Sequence, residues 1–139
     1  MKIEDIMEMW GEDSHIDDKD LDNESLNIPN LHQKYLDIYS KEKRKFRDLK
    51  THWKVLFQQR WEVVVSKNGK APDHNIRISK TELERHYVAA DESLQKAEVI
   101  MNEQEGKVDY LKSVLSMIEN RSFHINNAIN WRKFVAGLG

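Results

Sequence analysis

The sequence contains no cysteine, which excludes disulfides, thiolate metal sites and cysteine nucleophiles. Proline occurs twice and glycine five times in 139 residues, while 33% of the chain is charged. So few chain breakers with so much charge are the composition of long, surface-rich helices. No apolar run approaches the roughly 18 residues a membrane-spanning helix requires. The opening Met1-Lys2-Ile3-Glu4-Asp5-Ile6 lacks the basic and apolar regions of a secretion signal. Enzyme signatures are missing as well. None of the six histidines forms a His-Glu-x-x-His pair or sits with carboxylates at metal spacing, and no Gly-rich phosphate loop or Gly-x-Ser-x-Gly elbow occurs. The expectation is an all-α, soluble, intracellular protein without cofactor, metal or membrane partner, which binds rather than catalyses.

What is present is charge in blocks. Residues 1–30 carry two basic and ten acidic groups, a net of −8, and residues 31–80 carry thirteen basic and five acidic groups, a net of +8. Residues 81–139 are nearly balanced at −2. Blocks of opposite sign mark different partners, or one block shielding the other.

The apolar pattern divides the chain into three parts. In residues 1–28, Ile3, Ile6, Met7 and Trp10 predict a short amphipathic helix ending at Gly11. The stretch Glu12 to Glu24 is too acidic and too poor in apolar anchors to bury, and reads as a mobile arm with one or two helical turns. In residues 29–120, Leu31, Tyr35, Ile38, Phe46, Leu49, Trp53, Leu56 and Val63 recur in steps of three and four, apart from gaps at Glu42 and Arg60. They predict one long helix from Pro29 to about residue 65. At 1.5 Å per residue it would span about 55 Å, too long for its own small domain to cover. A polar segment over 66–78 is the clearest break, and Ser79 with Glu82 fits a capping box before a brief helix. Asp91 reads as the N-cap of a second long helix over about 92–119. There Leu94, Ala97, Met101, Val108, Leu111, Leu115 and Ile118 keep a 3.5-residue period, with Gln104 at the one polar position. A break at Arg121-Ser122 precedes a last helix from Phe123 to Ala136, ended by Gly137. In residues 121–139, Phe123, Ile125, Ala128, Ile129, Trp131, Phe134 and Val135 surround nearly the whole helix, which calls for cover by neighbouring subunits.

The strongest local feature lies on the first long helix. At 100° per residue, Lys43, Arg47, Lys50 and Lys54 fall at about 0°, 40°, 340° and 20°, a stripe more than 100° away from the apolar one. Trp61 shares that face and Phe57 lies beside it. A bare cationic row interleaved with flat rings suits single-stranded nucleic acid, because cations neutralise phosphates while rings stack on unpaired bases. An acidic protein partner, or a solvated face with both rings packed inside, fits the same residues. Arg60 falls within the apolar stripe, so either the stripe has ended and it lines a groove, or it holds an acidic group at an interface. Lys67 and Lys70 extend positive charge into the following loop, where they reach a phosphate chain or are simply solvated.

These residues also resemble a known family. Arg121, Phe123, Ile125, Arg132, Phe134, Ala136 and Gly137 match an Arg-x-Phe-x-Ile…Arg-x-Phe-x-Ala-Gly ending. With Ile3-Glu4-Asp5, Ile16-Asp17, Leu31, Lys34, Tyr35, Leu36, Ser40, Lys43, Lys54-Val55, Arg60 and Ala90-Asp91, the chain resembles the UvsY family of phage recombination mediators. The resemblance implies an all-α homo-oligomer, a ring of six or seven subunits assembled through the C-terminal part. It implies binding to single-stranded DNA, to a RecA-like phage recombinase and to the phage single-strand-binding protein, in the host cytoplasm and without nucleotide hydrolysis. In the family a Lys-x-Arg pair matters for DNA binding. Arg60 matches its arginine, but Gln58 stands at its lysine, so Lys54 and the Lys43/Arg47/Lys50 row are expected to supply the charge. The acidic N-terminal segment then reads as a DNA mimic, a dock for a basic partner or a solubilising tail. The alternative from another class is a structural coiled-coil adaptor with no nucleic-acid affinity.

Overall fold

The computed structural model describes residues 1–68 and 91–138, with side chains through residue 63 in the first stretch. Among these residues every regular element is a helix: α1 (Ile3–Asp13), α2 (Leu21–Leu26), α3 (Ile28–Asn68), α4 (Glu92–Glu119) and α5 (Arg121–Val135). The all-helical expectation is met. The second long helix has the bounds its heptad period predicts. Its N-cap is Asp91, whose Oδ1 accepts the Leu94 N–H at 3.2 Å. The first long helix continues three residues past its expected end, through 66–68. The rest of the expected loop and the Ser79/Glu82 capping box lie outside the described residues.

The chain divides into two compact units, to both of which α3 and α4 contribute. One comprises Met1–Glu42 with Lys107–Gly139, the other Lys43–Gly106. The first unit holds the main apolar cluster. Ile6 and Trp10 of α1 pack with Leu31 and Tyr35 of α3 and with Leu111, Val114, Leu115 and Ile118 of α4. Trp10 meets Tyr35 edge-on, with ring centroids 5.4 Å apart at 84°, a favourable aromatic geometry. The gap at Glu42 in the α3 stripe is occupied by a buried carboxylate, which faces Lys107 Nζ at 3.5 Å.

The acidic stretch expected as a mobile arm is instead tied down, and the tie is Arg121. Its guanidinium donates to the carbonyls of Asp13 (3.1 Å), Ser14 (3.4 Å) and His15 (2.9 Å), and to Glu24 Oε2 at 2.8 Å. The last carbonyls of a helix have no partner of their own, and a buried guanidinium requires acceptors for its fixed fork of donors. Each need meets the other at the end of α1. Asp13 adds a second anchor, accepting from Lys34 Nζ at 2.6 Å and from the Tyr35 hydroxyl at 2.8 Å. Asp13 and Glu24 are thus spent in contacts that local sequence does not reveal, while Glu12, Asp17, Asp18 and Asp22 stay exposed.

Helix α5 begins at Arg121, two residues before the expected start, and the break from α4 falls at Asn120. Its end follows the sequence: Gly137 takes φ +75°, and the N–H groups of Gly137 and Leu138 return to the carbonyls of Phe134 and Lys133. That double return is the Schellman stop, which favours glycine because of the positive φ.

Candidate functional site

The second unit carries the cationic row. The α3 backbone is continuous through Lys43–Asn68, with neither glycine nor proline to break it. The spacing therefore becomes a real stripe. Arg47, Lys50 and Lys54 are exposed and Lys43 is half-buried. Arg47, Lys50 and Lys54 form no ion pair with any described residue. Like charges three and four residues apart on a helix repel one another, so the row is costly in isolation and favourable beneath a polyanion.

Beside it runs an aromatic ladder. Trp53 stacks on Phe57 with centroids 5.3 Å apart at 26°, and Phe57 on Trp61 at 6.5 Å and 18°. The three rings are half-buried. Sequence reasoning found Phe57 and Trp61 but left Trp53 in the apolar stripe. The available signal was the i, i+4, i+8 repetition of aromatic residues, which places their rings one above another along a helix. The Trp53 indole Nε1 is buried and has no hydrogen-bond partner among the described residues.

Arg60 resolves differently from the row. It holds an acidic group of its own chain: Nε lies 3.3 Å from Asp91 Oδ2, and Nη2 donates to Ser93 Oγ at 3.4 Å. Gln58 donates from Nε2 to Glu62 Oε1 at 3.2 Å. Lys67 lies on helical backbone with its side chain outside the described residues, and Lys70 lies outside them altogether.

The residues expected to assemble subunits sort into two sets. Ile125 is buried within its own unit, and Ala128 and Ile129 are half-buried. Phe123, Trp131, Phe134 and Val135 are exposed by 64–69%, and Trp131 stacks on Phe134 with centroids 5.7 Å apart. Leu138, which follows the helix, is exposed by 80%. This much apolar surface on one short helix exceeds the scatter of single exposed hydrophobics.

The sequence matches the UvsY family, described as "Recombination, repair and ssDNA binding protein UvsY", over residues 9–138. No curated protein matches it. Among solved structures, the chain is similar to the bacteriophage T4 recombination mediator protein UvsY. In lattice type II the identity is 24% and the TM-score 0.80, covering 98% of each chain. In lattice type IV the values are 23% and 0.78, covering 96% of this chain and 98% of that one. At such identities the likeness is one of fold.

Proposed function

The chain belongs to the UvsY family, and from that premise we propose that it is a recombination mediator that binds single-stranded DNA along the cationic face of α3. In this reading it promotes loading of a RecA-like phage recombinase onto strands covered by single-strand-binding protein, without catalysis of its own. The observation that carries it is the row Arg47, Lys50 and Lys54, exposed and unpaired among the described residues, beside the Trp53–Phe57–Trp61 ladder. Phosphates neutralise the row while unpaired bases reach ring edges and faces, a combination that tolerates any sequence. Lys43 extends the row at its start, and Lys67 and Lys70 add charge beyond its end.

The exposed aromatics of α5 support self-association through the C-terminal helix, into the ring of six or seven subunits that the family resemblance implies. Repeating one cationic face around a homo-oligomer lets a single strand engage several subunits, so weak contacts combine into high avidity.

The test is a loading assay. Recombinase filament growth is followed on a strand precoated with single-strand-binding protein, with and without this protein. A shortened lag that is lost when Lys50 and Lys54 are changed to Ala is expected. A lag left unchanged by a protein that still assembles would favour the structural adaptor.

A further inference from the structure

Arg60, unlike Arg47, Lys50 and Lys54, is neutralised by a carboxylate of its own chain among the described residues. Asp91 divides its two oxygens between two tasks. Oδ1 caps α4 through the Leu94 N–H at 3.2 Å, while Oδ2 faces Arg60 Nε at 3.3 Å. The pair is open to water, with the Arg60 side chain 42% and the Asp91 side chain 23% exposed. An ion pair so placed is weak. A phosphodiester offers the same guanidinium fork two anionic oxygens in similar geometry, and such charge-assisted pairs are strong. Arg60 also follows Phe57 by three residues and Trp53 by seven, which puts it on the flank of the aromatic ladder. A strand stacked on those rings carries its phosphates alongside Arg60.

We propose that Asp91 is an internal competitor for Arg60: it holds the guanidinium in the free protein and yields it to a backbone phosphate when single-stranded DNA binds. Asp91 thereby sets the affinity of the interface without touching the strand. The inference rests on the preceding reading that this face takes single-stranded DNA.

Asp91→Asn separates the two tasks, because asparagine retains the capping oxygen and is a good N-cap while losing the charge. Anisotropy of labelled oligo-dT is measured across a salt series for wild type, D91N, R60Q and the double variant. D91N is expected to bind roughly two- to fivefold tighter, the range an exposed ion pair spans. R60Q should bind more weakly, with a log K against log salt slope shallower by about 0.7 per engaged subunit. In the R60Q background, D91N should change nothing. Unchanged or weaker binding by a D91N protein of normal helix content would overturn the inference. So would equal tightening in the R60Q background, which would mean general repulsion rather than competition. If D91N loses helix content, Asp91→Ser keeps a capping oxygen and is held to the same outcomes. Absence of salt-dependent binding by wild type would overturn the underlying DNA reading itself. Normal wild-type binding with an inert D91N overturns only the competitor.

Discussion

At Asp13, burial works against the negative charge, but hydrogen bonds from Lys34 and Tyr35, with the charges of Lys34 and Arg121, outweigh it. The carboxyl is held below its ordinary value of 3.8. Its partner Tyr35 is pushed the other way, above its ordinary 10.0, by burial first, then by its bond to Asp13 and by the nearby Asp13 and Tyr110 groups. The signs follow from linkage. A lowered carboxyl contributes stability that is present above 3.8 and lost as pH falls through the folded-state value. A raised phenol contributes stability that is present below 10.0 and lost as pH rises. Urea midpoints should therefore be level from about pH 5 to pH 9 and fall on both sides. Asp13→Asn should flatten the acid limb, and an acid limb identical to wild type would contradict this account. Residues of this kind were the least legible in the sequence. Arg121, Glu42 and Arg60 each looked misplaced or merely conspicuous, because the groups that explain them (the end of α1, Lys107 and Asp91) stand 31 or more positions away along the chain.

Elements were legible where a period or a stop signal spans several residues. Of the heptad positions of α4, Leu94, Val108, Leu111, Leu115 and Ile118 are buried, while Ala97 and Met101 are half-buried. Asp91 and Gly137 marked a helix start and a helix stop because capping is local chemistry. The acidic segment was misread for the opposite reason. Counting charges treats every carboxylate as solvated, whereas Asp13 and Glu24 are spent on Lys34, Tyr35 and Arg121. Helix α1, expected as a short amphipathic helix, is part of the core through Ile6 and Trp10. Trp10→Ala should cost about 3–5 kcal/mol, read as a lowered urea midpoint. A change below about 1 kcal/mol, the scale of surface substitutions, would contradict that core role. Deleting residues 1–28 removes both Ile6 and Trp10 from the core, so the role of the acidic surface is better tested by neutralising exposed Glu4, Asp5 and Glu8 in place.

For the whole molecule, fold and family were within reach of the sequence, and the candidate site largely so. The cationic row was visible because four residues at helical spacing need no tertiary knowledge, whereas the ladder was incomplete without Trp53. Self-association is the molecular property that the exposed α5 aromatics bear on most directly. Replacing Trp131 and Phe134 together by Ala should shift the protein toward smaller species in analytical ultracentrifugation with helix content unchanged, since both side chains are mostly exposed within the chain. An undiminished sedimentation coefficient would place assembly elsewhere. The central claim, that the α3 face binds single-stranded DNA, is tested most directly by oligo-dT anisotropy over a range of salt concentrations. Four cations of one subunit predict a log K against log salt slope near about −3, steeper if several subunits engage one strand, and clearly shallower in Lys50→Ala/Lys54→Ala. Binding that is absent at low salt, or that the double substitution leaves unchanged, would contradict the account.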